Sequence, residues 1–237
     1  MMNQTFLYGI PGSTVKLIAM ACMFIDHFAV IFLEMNHPVL SSFLRSIGRI
    51  AFPLFAFLLT EGFLHTHSKV NYCRNLFIMA ILSEIPFDLA FHNSVFDPIS
   101  QNTLFTLTIG LLTIWAISLI EETTQKKGQK QYFRIPLTLL VTAAGSFAAW
   151  LFRSDYEFYG ILAIVLLYVL RTRRMAASVL SCAVLTLIGP AESFCFFSIP
   201  LIMKYNGSRG LKLKYAFYLF YPFHLLVLYL LWHTISI

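Results

Sequence analysis

VKLIAMACMFIDHFAVIFLEM, residues Val15–Met35, is an apolar run with two ionisable neighbours, Asp26 and His27, at its middle. A hydrocarbon core about 30 Å deep is crossed by roughly 20 helical residues, so this run reads as one membrane span. At about 1.5 Å per residue, His27 lies ~17 Å beyond Lys16, close to the bilayer midplane. Charge at that depth costs roughly 3 kcal/mol or more and needs a partner, a water-filled cavity or a task.

The rest of the chain has the same character. It is 237 residues long, 58% hydrophobic and only 12% charged, with mean hydropathy +0.74. That composition excludes a soluble domain and predicts an all-α, polytopic transmembrane helix bundle forming one integral membrane domain over 1–237. The first run is too long for a cleavable signal and lacks a small-residue cleavage site, so it is expected to remain as the first span. The four cysteines, Cys22, Cys73, Cys182 and Cys195, follow no CxxC or zinc spacing and read as small packing residues. His65-x-His67 lacks the partners a metal would need, and no metal is expected.

Apolar segments fall at about 15–35, 42–64, 74–92, 103–120, 134–152, 158–170, 175–189, 193–203 and 215–235, which predicts about nine spans. The connections alternate in charge. One set holds Lys69 and Arg74, then Lys126, Lys127, Lys130 and Arg134, then Arg171, Arg173 and Arg174, then Lys204, Arg209, Lys212 and Lys214. The other set has only Arg153, balanced by Asp155 and Glu157. Short loops rich in Lys and Arg stay in the cytoplasm, which places the amino terminus inside, the carboxyl terminus outside, and a basic cytoplasmic loop at 121–134. The net charge of +6 is then a topology signal, and nucleic acid is not expected as a partner.

Orientation converts position into depth. Arg45 and Arg49 lie about one and two turns into the second span; Glu84 and His224 reach the midplane of the third and last spans. Four helices thus deliver Asp26, His27, Arg49, Glu84 and His224 to one layer. Lys16 and His27, 11 residues apart, share a helix face, as do Arg45 with Arg49 and Glu84 with Asp88. Adjacent side chains diverge by roughly 100°, so Asp26 is expected to meet a cation from another helix, with Arg49 the candidate. Pro53, Pro86 and Pro222 are expected to kink the helices beside these groups. Each residue also has a bland reading. Lys16 and Arg45 are snorkelling flanks, Asp26–Arg49 a register-fixing ion pair, Glu84 and Asp88 the lining of a kink, and His224 a donor to backbone freed by Pro222.

Three functions fit these residues. In group transfer, His27 is a general base, an arginine holds developing charge, and Lys16 meets donor phosphates. A donor reaching from Lys16 to His27 is long and narrow, as the pantetheine arm of coenzyme A is. In proton-coupled transport, Asp26, His27, Glu84 and His224 form a relay. In a structural protein the ion pairs only set helix register.

Six stretches in order carry a resemblance. They are KLIAMACMFIDHFAVIF at Lys16–Phe32, GRIAFPLFAFLLTEGF at Gly48–Phe63 and SEIPFDLAF at Ser83–Phe91. The others are QNTLFT at Gln101–Thr106, DYEFYGIL at Asp155–Leu162 and YAFYLFYPFHLLVLYLL at Tyr215–Leu231. On these the chain resembles the TraX family of bacterial membrane proteins, associated with acetylation of the pilin amino terminus, and through it the wider transmembrane acyltransferase group. The resemblance implies a bacterial inner-membrane acetyltransferase using cytoplasmic acetyl-CoA and a peptide, pilin or glycan acceptor. The group's usual ten spans set the alternative to nine. In the acyltransferase-3 proteins a basic residue, ten spacers and a histidine mark the first catalytic helix, as Lys16 and His27 do here. Their paired arginines are three apart, whereas Arg45 and Arg49 are four apart. By the resemblance His27 is the catalytic base or acyl-handling residue and Lys16 supports the donor; with them, Asp26 is expected to be catalytic and Arg45, Arg49, Glu84, Asp88, Asp155, Tyr159 and His224 to contact donor or acceptor.

Overall fold

A computed structural model describes residues 9–126, 131–212 and 214–235. Each of the nine apolar segments is helical, but they differ in reach. Among the described residues, six helices are long and apolar enough to cross a membrane: Gly12–Leu33, Pro38–His65, Lys69–His92, Thr103–Lys126, Phe133–Leu151 and Ala216–Ile235. The first comprises α1 (Gly12–Phe28) and a π-helical turn at Ala29–Leu33; the second is divided into α2 (Pro38–Gly48) and α3 (Ala51–His65). The rest belong to α4 (Lys69–His92), α5 (Thr103–Lys126), α6 (Gln131–Leu151) and α10 (Lys214–Ile235).

The three remaining segments fall short of the expected nine spans. They form α7 (Glu157–Val169), α8 (Arg174–Leu185), and a 3-10 turn at Pro190–Phe197 leading into α9 (Ser198–Lys204). At about 1.5 Å per residue, the 13 residues of α7 extend roughly 20 Å. Their apolarity answers to protein rather than lipid: Ile161, Ala163, Ile164, Val165, Leu167 and Tyr168 are buried in the main core. Apolar runs of this length are more often buried core helices than spans.

The second span breaks where Pro53 predicts. A proline lacks the N–H that would bond the carbonyl four residues back, and its ring crowds that carbonyl, here Arg49. The chain turns at Arg49–Ile50, with Ile50 N–H donating to Ile47 O at 3.2 Å, and Pro53 lies in the first turn of α3. Pro53 therefore marks a helix start rather than a kink within a helix, whereas Pro86 and Pro222 lie inside α4 and α10. The expected loop at 121–134 is shorter than the charges suggested. Glu121–Lys126 completes α5 and α6 begins at Gln131; Lys127 and Lys130 lie outside the described residues.

Two backbone clips close the opposite ends. At the basic end, Ile10 N–H donates to Lys204 O at 2.9 Å, and Gly12 and Ser13 N–H donate to Ser208 O and Arg209 O. At the other end, Gln101 N–H donates to Arg153 O and Asp155 N–H to Gln101 O, at 2.9 and 3.0 Å.

Candidate functional site

Asp26 and His27 point to different partners, as neighbours on a helix must. Both Asp26 carboxylate oxygens accept from Arg49 Nη2, at 2.9 and 3.1 Å. Close approach of α1 to α2 makes this possible. A Cβ at Gly48 would lie 2.3 Å from Asp26 Cβ, so the residue before Arg49 can carry no side chain without displacing Asp26. Arg45, one turn earlier, reaches Asp26 Oδ1 at 4.0 Å and Glu34 Oε1 at 3.1 Å.

Arg49 has a second acid. Its Nη1 donates to Glu192 Oε1 at 3.0 Å, and its Nε donates to Arg45 O at 3.2 Å. The guanidinium fork is thus largely committed to protein acceptors, which leaves it little capacity to hold a charge developing on substrate. Glu192 Oε2 is buried without a hydrogen-bond partner. Sequence reasoning missed Glu192. The signal was a single carboxylate in the apolar stretch IGPAESFCFF, two residues after Pro190.

His27 meets His224 of α10, Nδ1 to Nε2, at 2.8 Å. The rings are nearly parallel, at 9°, with centroids 5.0 Å apart. Stacked rings keep atoms about 3.5 Å apart or more, so a 2.8 Å nitrogen contact means that the rings meet edge to edge, close to one plane. Both histidines are buried. Phe220 stacks on the His224 ring with centroids 4.5 Å apart, and Phe91 and Tyr221 make T-shaped contacts with His27. The π turn begins two residues after His27; single π turns often mark functional sites. Its first carbonyl, Ala29 O, accepts from the buried Ser41 hydroxyl. Lys16, on the face of α1 that carries His27, also meets α10, its Nζ 4.8 Å over the Phe217 ring.

Other candidates are placed elsewhere. Glu84 Oε2 accepts from the Asn102 side chain, which also donates to Ala80 O and whose Oδ1 takes the Leu104 N–H at the start of α5. Asp88 Oδ2 accepts from Asp97 N–H at 2.8 Å, and its Oδ1 lies 3.5 Å from His92 Nδ1. These two carboxylates pin the α4–α5 connection; neither has a described contact with His27 or Arg49. Asp155 accepts from the Thr103 hydroxyl. With Tyr159, Trp150, Arg153 and Glu157 it lines an open pocket of about 700 Å³ at the end away from the lysines. Among the described residues no three His, Cys, Asp or Glu side chains gather as a metal site would require.

A helical membrane bundle enclosing a histidine pair beside an Asp–Arg–Glu cluster is a class defined by its buried polar groups. Residues 11–232 match the family model described as TraX protein, and the chain belongs to that family. It is also 28% identical to the probable fimbrial assembly protein FimC, serogroup H1, of Dichelobacter nodosus, covering 90% of this chain and 92% of that protein. No solved structure matches.

Proposed function

We propose that this chain is a membrane-embedded acyltransferase that moves an acetyl group from cytoplasmic acetyl-CoA to an amine or hydroxyl acceptor. The observation that carries this reading is His27, buried yet hydrogen-bonded edge to edge with His224. A nitrogen base held in place away from bulk water suits general-base catalysis. His27 takes the acceptor proton as the acceptor N or O attacks the thioester carbonyl carbon. The tetrahedral adduct collapses, the C–S bond breaks, and the CoA thiolate leaves and takes a proton.

Lys16 and the exposed Lys204, Arg209 and Lys212 are suited to the donor's phosphates. The N–H groups of Gly12 and Ser13 already serve Ser208 and Arg209, so side chains rather than the α1 terminus bind them. Asp26, Arg49 and Glu192 hold α1, α2 and the 3-10 turn in register around the site. Asp155 and Tyr159, on the opposite pocket, belong on the acceptor side. Similarity to FimC, a probable fimbrial assembly protein, favours a pilin or other peptide amine as acceptor over a glycan. A transport relay fits less well, because the Glu84 carboxylate is bonded to Asn102 rather than linked to the histidines.

Purified protein in lipid nanodiscs, given radiolabelled acetyl-CoA, should show His27-dependent hydrolysis, retained label or saturable binding. His27→Ala should lower turnover by about 10²- to 10⁴-fold while the protein stays folded. Folded protein lacking all three signals would sink the enzyme reading in favour of transport.

A further inference from the structure

We propose that His224 is a positioning residue: with the Phe220 carbonyl it fixes the tautomer of His27 and leaves His27 Nε2 as the bare base. This rests on the acyltransferase reading for its purpose, though not for its geometry.

The chain of hydrogen bonds has one possible direction. His224 Nδ1 lies 2.7 Å from Phe220 O, and a carbonyl can only accept, so His224 carries its proton on Nδ1. A neutral imidazole has one N–H, which leaves His224 Nε2 as an acceptor. The 2.8 Å contact with His27 Nδ1 needs one proton between the rings, and only His27 can supply it. His27 Nε2 is then unprotonated. No described residue hydrogen-bonds that nitrogen, and the Phe91 and Tyr221 rings lie near-perpendicular to the imidazole at centroid distances of 5.1 and 6.2 Å. This is the opposite tautomer to the one free histidine favours in water, so the protein must impose it. The near-coplanar rings align the donor with the acceptor lone pair.

His224 does donate to backbone, but to Phe220 O rather than to the carbonyl Pro222 leaves free. A proline frees the carbonyl four residues back, here Tyr218. The choice of Phe220 keeps His224 Nε2 aimed at His27.

The same chain accounts for the proton through a turnover. The acceptor X–H bond breaks and its proton goes to His27 Nε2. The Nδ1 proton of His27 then shifts to His224 Nε2, so the positive charge rests on an imidazolium whose Nδ1–H stays on Phe220 O. As the C–S bond breaks, His27 Nε2–H protonates the CoA thiolate and His224 returns its proton to His27 Nδ1. Both rings end as they began.

The test is nitrogen NMR of ¹⁵N-histidine-labelled wild-type protein in nanodiscs, with signals assigned by their loss in His27→Ala and His224→Gln. Protonated Nδ1 and bare Nε2 on His27 is the expected result; a protonated Nε2 on neutral His27 overturns the proposal. This readout needs no substrate, so a chain that shows the tautomer but transfers no acetyl group refutes the enzyme reading alone. Kinetics supply the second arm. His224→Phe keeps a ring but no acceptor and should lower kcat by about 10²-fold or more with KM little changed. His224→Gln, whose side-chain oxygen can accept from His27 Nδ1, should recover at least a tenth of the lost activity. Equal losses in both variants would overturn the positioning role, and if the Phe variant fails to fold the wild-type spectrum still decides.

Discussion

Two ion clusters in this molecule use the same residue types in inverse proportion. At the basic end, Glu121 serves two arginines: Oε1 accepts from Arg134, and Oε2 from Arg171 at 2.9 Å and the Tyr168 hydroxyl at 3.1 Å. In the second cluster one arginine, Arg49, serves two carboxylates, Asp26 and Glu192. Each acceptor oxygen of Glu121 is occupied; its carboxylate is only 14% exposed, but its arginine partners are about a third exposed. The Arg49 cluster is drier, with side chains 18%, 16% and 6% exposed, and Glu192 Oε2 has no partner. The first is a saturated staple between α5, α6 and α7. The second holds surplus acceptor capacity beside a histidine pair, the condition expected where a proton or ligand is handled.

The sharpest break in that comparison is Arg49→Met. Removing one member of a buried pair leaves the other charge uncompensated, at about 3–5 kcal/mol. Here Glu192 would lose its one described cation and Asp26 would keep only Arg45 at 4.0 Å, so the loss should fall within that range in a thermal or denaturant unfolding series. Asp26→Asn combined with Arg49→Met should cost less than the sum of the two, with a coupling of roughly 0.5–3 kcal/mol. Strict additivity would show that the pair seen here does not form.

Much of this arrangement was legible in the sequence because helices convert position into depth and phase. Counting residues placed His27 level with His224 and Asp26 level with Arg49, and the 11-residue spacing put Lys16 and His27 on one face, which α10 covers. The rule failed where the helix did. Glu192 lies in a 3-10 turn after a proline, outside any apolar run long enough for depth arithmetic to apply. Glu84 does not join the histidines, because Asn102 at the start of α5 claims it, and capping in a connecting segment leaves no periodic trace. The apolarity of α7 could not distinguish a lipid neighbour from a protein one.

Gly48 tests the packing behind the Asp26–Arg49 pair. Adding a methyl group by Gly48→Ala drives Cβ to 2.3 Å from Asp26 Cβ, into the Asp26 side chain that pairs with Arg49. Overpacking of this kind costs about 1–3 kcal/mol. Gly189→Ala is the control, since nothing lies within 4 Å of a Cβ there and its φ of 172° is ordinary extended backbone. A difference in melting temperature between the two alanine variants would locate the constraint at the Asp26 contact; equal melting would remove it.

The smallest effect should come from Glu121→Gln, although Glu121 makes more ionic contacts than either Asp26 or Glu192 makes with Arg49. Its partners stay partly solvated when the charge is lost, and Arg171 also lies 4.4 Å over the Tyr168 ring and donates to Tyr168 O. With both arginines about a third exposed and so still reached by water, the loss should stay at about 1 kcal/mol. The residual effect should shrink further as salt is raised, since the Debye length falls to roughly 3 Å at 1 M. The Arg49→Met penalty should persist at the same salt, because the stranded charges are buried. Unfolding both variants at low and high salt therefore sorts the clusters by environment rather than by contact number. A Glu121→Gln loss as large as that of Arg49→Met would erase the distinction between staple and site.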